Sequence, residues 1–276
     1  MGLKDVLVHV DNDPACPSRI DVAVALAAQH GAHLTGLHAM GWPRLPGYVE
    51  LQLPPSFLEE QQRRLEGLAR QAEEGFHVRA RRRGLRAEWR VSESDVVAAT
   101  KLHARYADIT IVGQARDIVN APYDLNFLPE ELALGVGRPI MIVPRYGTFE
   151  KVGDRILVAW NGSREATRAV HDALPLLQRA LKVTILSIDP ERDSGSRVPS
   201  TDIALHLARH GVTAEASSTH GLDMGVGDFL LSRAADLGVD LIVMGAYGHS
   251  RVREMVLGGA TRHVLQNMTV PVLMSH

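Results

Sequence analysis

Gly245, Gly248, Gly258, Gly259 and Thr261 follow the apolar run Leu241-Ile242-Val243-Met244 with the spacing Gly-x2-Gly-x9-Gly-Gly-x-Thr. A buried strand that ends in glycines ahead of a helix start can seat a phosphate. Glycine lets the backbone approach an anion, and the free N–H groups of a helix N-terminus point at it. Gly258 and Gly259 would open the last helix, so their amides and the Thr261 hydroxyl can face one anion. Neither Gly-x4-Gly-Lys-(Ser/Thr) nor Gly-x-Gly-x2-Gly occurs, which removes the P-loop and weighs against a nicotinamide cofactor. Plain turn-making is the competing reading of such glycines.

Other chemistries find less support. The thirteen histidines include no His-x3-His paired with a glutamate, and the single cysteine allows no cysteine pair, so no metal centre is expected. Cys16 precedes the first helix without an evident histidine partner, and Gly-x-Ser-x-Gly is absent, so no catalytic residue is assigned. The basic run from Arg79 to Arg86 ends a long helix at Gly84, which suits the helix dipole better than a nucleic acid.

The elements that must position these residues come in duplicate. Residues 5–11 match 155–161 at an offset of 150, and residues 107–143 match 239–275 at an offset of 132 without a gap. The expected organisation is one domain over 1–145 and a second over 154–276. Extra length in the first half lies around Gly41 to Arg64, where Pro43, Pro46, Pro54 and Pro55 favour a loop before a helix. Apolar β-branched runs predict strands at 5–10, 33–38, 87–91, 108–112 and 140–143, then 155–160, 183–188, 213–217, 241–244 and 270–274. In the second half the helical patterns fall near 164–180, 201–210, 228–235 and 260–266. The fold class expected is α/β: two tandem three-layer domains, each with a five-stranded, mainly parallel, doubly wound sheet. Asn161 and Gly245 then fall just past strand carboxyl ends, where such sheets bind ligands.

Bulk properties agree with an ordinary globular protein: 276 residues, 45% hydrophobic, 22% charged and a net charge of −2. That balance favours neither nucleic acid nor an anionic membrane. One cysteine, no leader-like start and no apolar stretch of membrane-spanning length lead to the expectation of a soluble, cytoplasmic protein.

On Gly245, Gly248 and Gly258, in register with Gly-x2-Gly-x9-Gly, the chain resembles the universal stress protein family in its tandem form. The resemblance covers essentially the whole chain and implies an adenine nucleotide alpha hydrolase-like fold with ATP as ligand. By it, Gly245, Tyr247, Gly248, Gly258, Gly259, Ala260 and Thr261 would hold ribose and phosphates; Met244 is counted with the nucleotide site, and His249 reads either as a phosphate neighbour or as an exposed loop residue. Ala159, Trp160 and Asn161 would line the nucleoside, and Ile188 would touch the adenine. The family usually has Ser or Thr where this chain has Gly259, and Asp where it has Asn161. Asparagine still hydrogen-bonds a ribose but brings no charge for Mg²⁺, and Asn161-Gly162-Ser163 also reads as a turn and N-cap.

The first half lacks the seat. Arg116 stands opposite Gly248, Asn126 opposite Gly258, Phe127 opposite Gly259, Leu128 opposite Ala260 and Pro129 opposite Thr261; only Gly113 persists, opposite Gly245. The expectation is one ATP per chain, in the second half. Three functions follow: an ATP-binding stress-response module that engages a protein partner, a slow ATPase, or a ligand-free structural protein. The halves are expected to pack through their last strands, and further homodimerisation is compatible with the sequence.

Overall fold

In a computed structural model, residues 2–41, 53–115, 128–189, 200–220, 224–248 and 259–276 are described. The first half contributes β1 (Asp5–His9), α1 (Cys16–His30), β2 (His33–Ala39), α2 (Pro55–Arg82) and β3 (Ala87–Ser92). It continues with α3 (Val96–Ala104), β4 (Ile109–Gly113), α4 (Leu128–Gly135) and β5 (Ile140–Val143). The second half contributes β6 (Arg155–Trp160), α5 (Arg164–Asp172), α6 (Leu174–Leu177), β7 (Lys182–Asp189) and α7 (Ser200–Arg209). After these come β8 (Ala214–His220), α8 (Val226–Asp236), β9 (Leu241–Gly245), α9 (Gly259–Asn267) and β10 (Val272–Ser275).

All ten strands join one sheet in the order β3-β2-β1-β4-β5-β10-β9-β6-β7-β8. Each half is a five-stranded parallel array, and the second mirrors the first. The halves meet through their last strands, where β10 runs antiparallel to β5 with Leu273 opposite Met141. Exposing either of these edge strands would leave a row of unpaired amides and carbonyls, so pairing them removes two edges at once. The expected α/β class stands, with one continuous sheet in place of two separate ones.

Helices cover both faces, giving the three layers. On one face α1, α2, α5, α6 and α7 enclose Val6, Val8, Phe76, Val158, Trp160, Ile185 and Val243. On the other, α3, α4, α8 and α9 enclose Leu7, Val112, Leu157, Ile242, Val264 and Val272. Alternate residues of each strand feed alternate cores, which is why the buried strands read as unbroken apolar runs.

Several local expectations change in detail. The helix predicted over 164–180 breaks into α5 and α6 at Ala173, because Pro175 enters the first turn of α6 and has no amide to donate. Proline likewise starts α2, at Pro55, and α2 ends before Gly84 at φ 70°. Pro43 and Pro46 lie outside the described residues.

Candidate functional site

In the second half the strand order turns back between β6 and β9, the switch point where the chain leaves one side of the sheet for the other. β6 pairs β9 in register at Val158 and Val243. That register carries Asn161 and the turn after Gly245 to neighbouring positions beyond the carboxyl ends. β7 pairs the other side of β6, with Trp160 opposite Ser187, so Ile188 lies beside the end of β6. The sequence therefore brings Ala159, Asn161, Ile188, Met244, Gly245, Tyr247 and Gly248 to one end of three adjoining strands.

The turn after β9 is tied to α9. Ala246 is fully buried, and its amide donates to Ser275 of β10 at 2.9 Å. Tyr247 has φ 56°, the one non-glycine residue with positive φ among the described residues. Its amide donates to Thr261 Oγ1 at 3.4 Å, so the buried threonine hydroxyl holds the turn against the first turn of α9. The Tyr247 hydroxyl is buried without a hydrogen-bond partner, and burial first, then Glu130's charge, raises its pKa above the ordinary phenol value. Glu130 belongs to α4, so the first half electrostatically contacts the turn of the second. His249 and Gly258 lie outside the described residues.

Three glycines of the motif have three different reasons to be glycine. A Cβ on Gly245 would stand 2.6 Å from Ala166 N and 2.7 Å from Glu165 C, so the close approach of α5 forbids it. A Cβ on Gly248 would meet only side-chain ends, Glu165 Oε2 at 3.1 Å and Ser163 Oγ at 3.3 Å. At Gly259 no described residue lies within 4 Å of where a Cβ would stand. Gly245 is thus a packing glycine against backbone, Gly248 is close to side chains alone, and no described atom opposes a side chain at Gly259.

One side chain falls differently from the expectation. Trp160 is buried in the core under α5, while Ala159, Ile188 and Tyr247 pack on the opposite face with α9. Only the main chain of Trp160 is available at the crevice. Asn161 is exposed, and its Oδ1 accepts from the Ser163 amide at 3.1 Å, the turn that precedes the Ser163 cap on Ala166 N. The turn-and-cap reading of Asn161 is realised, and its Nδ2 donor is left for other work.

Glu165 is the residue the sequence reading passed over. It sits in the first turn of α5, 7% exposed, beside Gly248 and salt-bridged to Arg164 at 3.1 Å. Burial would raise its pKa, but a bond from its own amide, then Arg164 and His276, hold the carboxyl below the ordinary glutamate value. An ionised acceptor therefore lines the glycine turn at neutral pH.

The counterpart crevice of the first half is filled from within. Asp11 Oδ1 accepts from the Asp13 amide at 3.0 Å, as Asn161 does for Ser163, but it also accepts from Arg19 Nη2 at 2.8 Å. Arg19 reaches across to Gly113, where a Cβ would collide with its Nη1. Burial is the largest single influence on the Arg19 pKa and lowers it, but the charges of Asp11 and Cys16 and the hydrogen bonds to both together raise it above the ordinary guanidinium value. The remaining space, about 30 Å³ between Asp11, Asp13, Gly113, Gln114 and Arg145, holds a water or two at most. Pro129 stands where α9 has Thr261. Arg116, Asn126 and Phe127 lie outside the described residues.

Residues 153–276 match the model of the universal stress protein family. A universal stress protein from Synechocystis is 24% identical over 171 residues, which cover 60% of this chain and 57% of that protein. The match thus spans just over half of that curated relative's length. In fold, the chain is similar to a universal stress protein from Archaeoglobus fulgidus, with a TM-score of 0.74 at 15% identity, covering 98% of this chain and 97% of that one. It is also similar to a functionally unknown protein from Pseudomonas aeruginosa PAO1, with a TM-score of 0.59 at 14% identity, covering 99% and 92%. At these identities the structural likeness is one of fold.

Proposed function

We propose that the chain binds one adenine nucleotide, ATP, in its second half, the part that matches the universal stress protein family model. The observation that carries this reading is the pair of glycines at the strand-order switch, Gly248 just past β9 and Gly259 at the start of α9. There neither glycine adds a side chain, and Thr261 and the main-chain amides at the start of α9 supply donors to an anion. Ala159 and Ile188 offer an apolar flank beside β6 for the base. Asn161 Nδ2 and the Glu165 carboxylate are fitted to ribose hydroxyls, with a donor and an acceptor respectively. Glu165 also supplies the negative charge that Asn161 lacks, so Mg²⁺ carried by the nucleotide has one carboxylate to meet.

The first half binds no nucleotide in this account, because the Arg19–Asp11 pair takes the space and Pro129 removes an amide. It serves as the packing partner whose Glu130 faces Tyr247. Nucleotide seated beside Gly248 and Gly259 would change the surface shown to a protein partner. A regulatory, partner-binding role fits this arrangement better than hydrolysis, since the carboxylate nearest the turn is salt-bridged to Arg164 and held ionised by its surroundings. Mass spectrometry of small molecules released on denaturing the purified protein tests the ligand: an adenine nucleotide is expected at no more than one per chain. A different class of molecule, or two nucleotides per chain, would overturn the assignment.

A further inference from the structure

Gln114 is the first residue past the carboxyl end of β4, in the first half, and its half-buried side chain reaches into the second. Its Nε2 donates to Leu265 O at 2.8 Å and to Gln266 O at 3.0 Å. Both carbonyls lie in the last turn of α9, among the four that no amide of the helix can reach. The rest of the residue is fixed as well. Its Oε1 accepts from the Arg145 amide at 3.0 Å, and its own amide donates to Val143 O at 2.9 Å. The clamp on α9 is therefore built on β4 and β5, in the middle of the ten-stranded sheet. Arg145 Nη2 is in turn 3.5 Å from Asp13 Oδ2, which joins the clamp to the small crevice of the first half.

The duplicated sequence makes this link one-sided. At the offset of 132, Gln114 corresponds to Ala246, while Leu265 and Gln266 correspond to Ala133 and Leu134 at the end of α4. Ala246 is fully buried and has no side-chain donor, so it cannot return the bond to α4. The helix that is held is the one whose first turn carries Gly259 and Thr261. Joining the halves does not require the glutamine, since β5 and β10 already pair through their main chains.

α9 has nine residues and is about 13.5 Å long, so its two ends move as one rod. At the amino end, Thr261 Oγ1 accepts the Tyr247 amide at 3.4 Å, beyond the usual range of such a bond. A small tilt of α9 breaks that bond and turns the first amides of the helix away from the glycine turn. With the reading of an adenine nucleotide at the start of α9 as its basis, we infer that Gln114 is a positioning residue for that site. The first half, which seats no nucleotide, thereby sets the affinity of the second by holding α9 at its carbonyl end. Gln114 acts through the helix and not by contact with the ligand.

The test is a calorimetric titration with ATP of full-length, nucleotide-free wild type, Gln114→Ala, Gln114→Glu and Asp108→Ala. Glutamate keeps the length and the acceptor but has no donor for the helix carbonyls. Asp108 accepts the Lys4 and Asp5 amides at the opposite ends of the strands, so its loss weakens the first half without touching α9. Both Gln114 variants should bind ATP about three- to tenfold more weakly, while Asp108→Ala stays within about twofold of wild type. A residue that only stabilised the fold would lower the melting temperature and leave the affinity of the folded protein unchanged. Circular dichroism at the titration temperature establishes that each variant is folded. Wild-type affinity in either Gln114 variant, or an equal loss in Asp108→Ala, would overturn the inference. No ATP binding by the wild type would overturn the reading of the second half, and the inference with it.

Discussion

Replacing Gly245 by alanine tests whether this glycine is there for the helix beneath it. The added Cβ would lie 2.6 Å from Ala166 N, 2.7 Å from Glu165 C and 2.9 Å from Glu165 Cβ. Two of the three are backbone atoms, so the first turn of α5 must retreat by about 0.8 Å to reach ordinary contact. Overpacking of this kind costs about 1–3 kcal/mol, and a backbone obstacle places Gly245→Ala at about 2–3 kcal/mol. For a domain of this size each kcal/mol lowers the melting temperature by about 2–4 °C, so a drop of about 4–12 °C is expected. Gly248→Ala is the comparison: its Cβ meets side-chain atoms alone, Glu165 Oε2 at 3.1 Å and Ser163 Oγ at 3.3 Å, which must give by a few tenths of an ångström, so a cost of about 1 kcal/mol, smaller than for Gly245→Ala, is expected. The melts are followed by circular dichroism on nucleotide-free protein, because a ligand bound only to the folded state raises the midpoint by itself. A Gly245→Ala midpoint within a degree of wild type, or an equal loss in Gly248→Ala, would refute the distinction between the backbone contact at Gly245 and the side-chain contacts at Gly248.

Three further outcomes follow from the same contacts. Arg19→Met strands Asp11 beside the buried end of β1 and should cost up to about 3 kcal/mol in urea unfolding, discounted because Asp11 is partly exposed; an unchanged midpoint would mean the pair is idle. Gln114→Ala should cost about 1–3 kcal/mol, since its Nε2 bonds Leu265 O and Gln266 O across the halves while its Oε1 accepts from the Arg145 amide. His38 is buried, with Nδ1 2.8 Å from Val10 O, and burial holds its pKa below the ordinary imidazole value despite that bond and the Asp11 charge. The fold therefore favours neutral His38, and its contribution is complete above about pH 6.5 and lost as pH falls through the depressed pKa. His38→Gln should flatten the fall in melting temperature between about pH 7 and 5; an equal slope would assign that loss elsewhere.

The strand runs and the gap-free repeat of residues 107–143 in 239–275 made the sheet legible, because buried parallel strands cannot hide their apolar character. The convergence of Asn161 with Gly245 followed from topology alone. The placement of Trp160 was also legible in principle, since neighbours on a strand face opposite sides and Ala159 claims the crevice side. Pro175 likewise announced the break between α5 and α6. The reason Gly113 persists was beyond the sequence: it and Gly245 both give way to the helix after the first strand of their half, through Arg19 in one and the α5 backbone in the other. Glu165 escapes for a related reason. Its neighbour Gly248 is brought to it by the tertiary fold, and no local spacing joins the two.

Calorimetric titration of nucleotide-free protein with ATP, with and without Mg²⁺ and beside a Gly248→Val variant, tests the single-site account most directly. A stoichiometry of one per chain, lost in Gly248→Val while its melting temperature is kept within a few degrees, is predicted. Two sites per chain, no binding, or full affinity in the valine variant would contradict it.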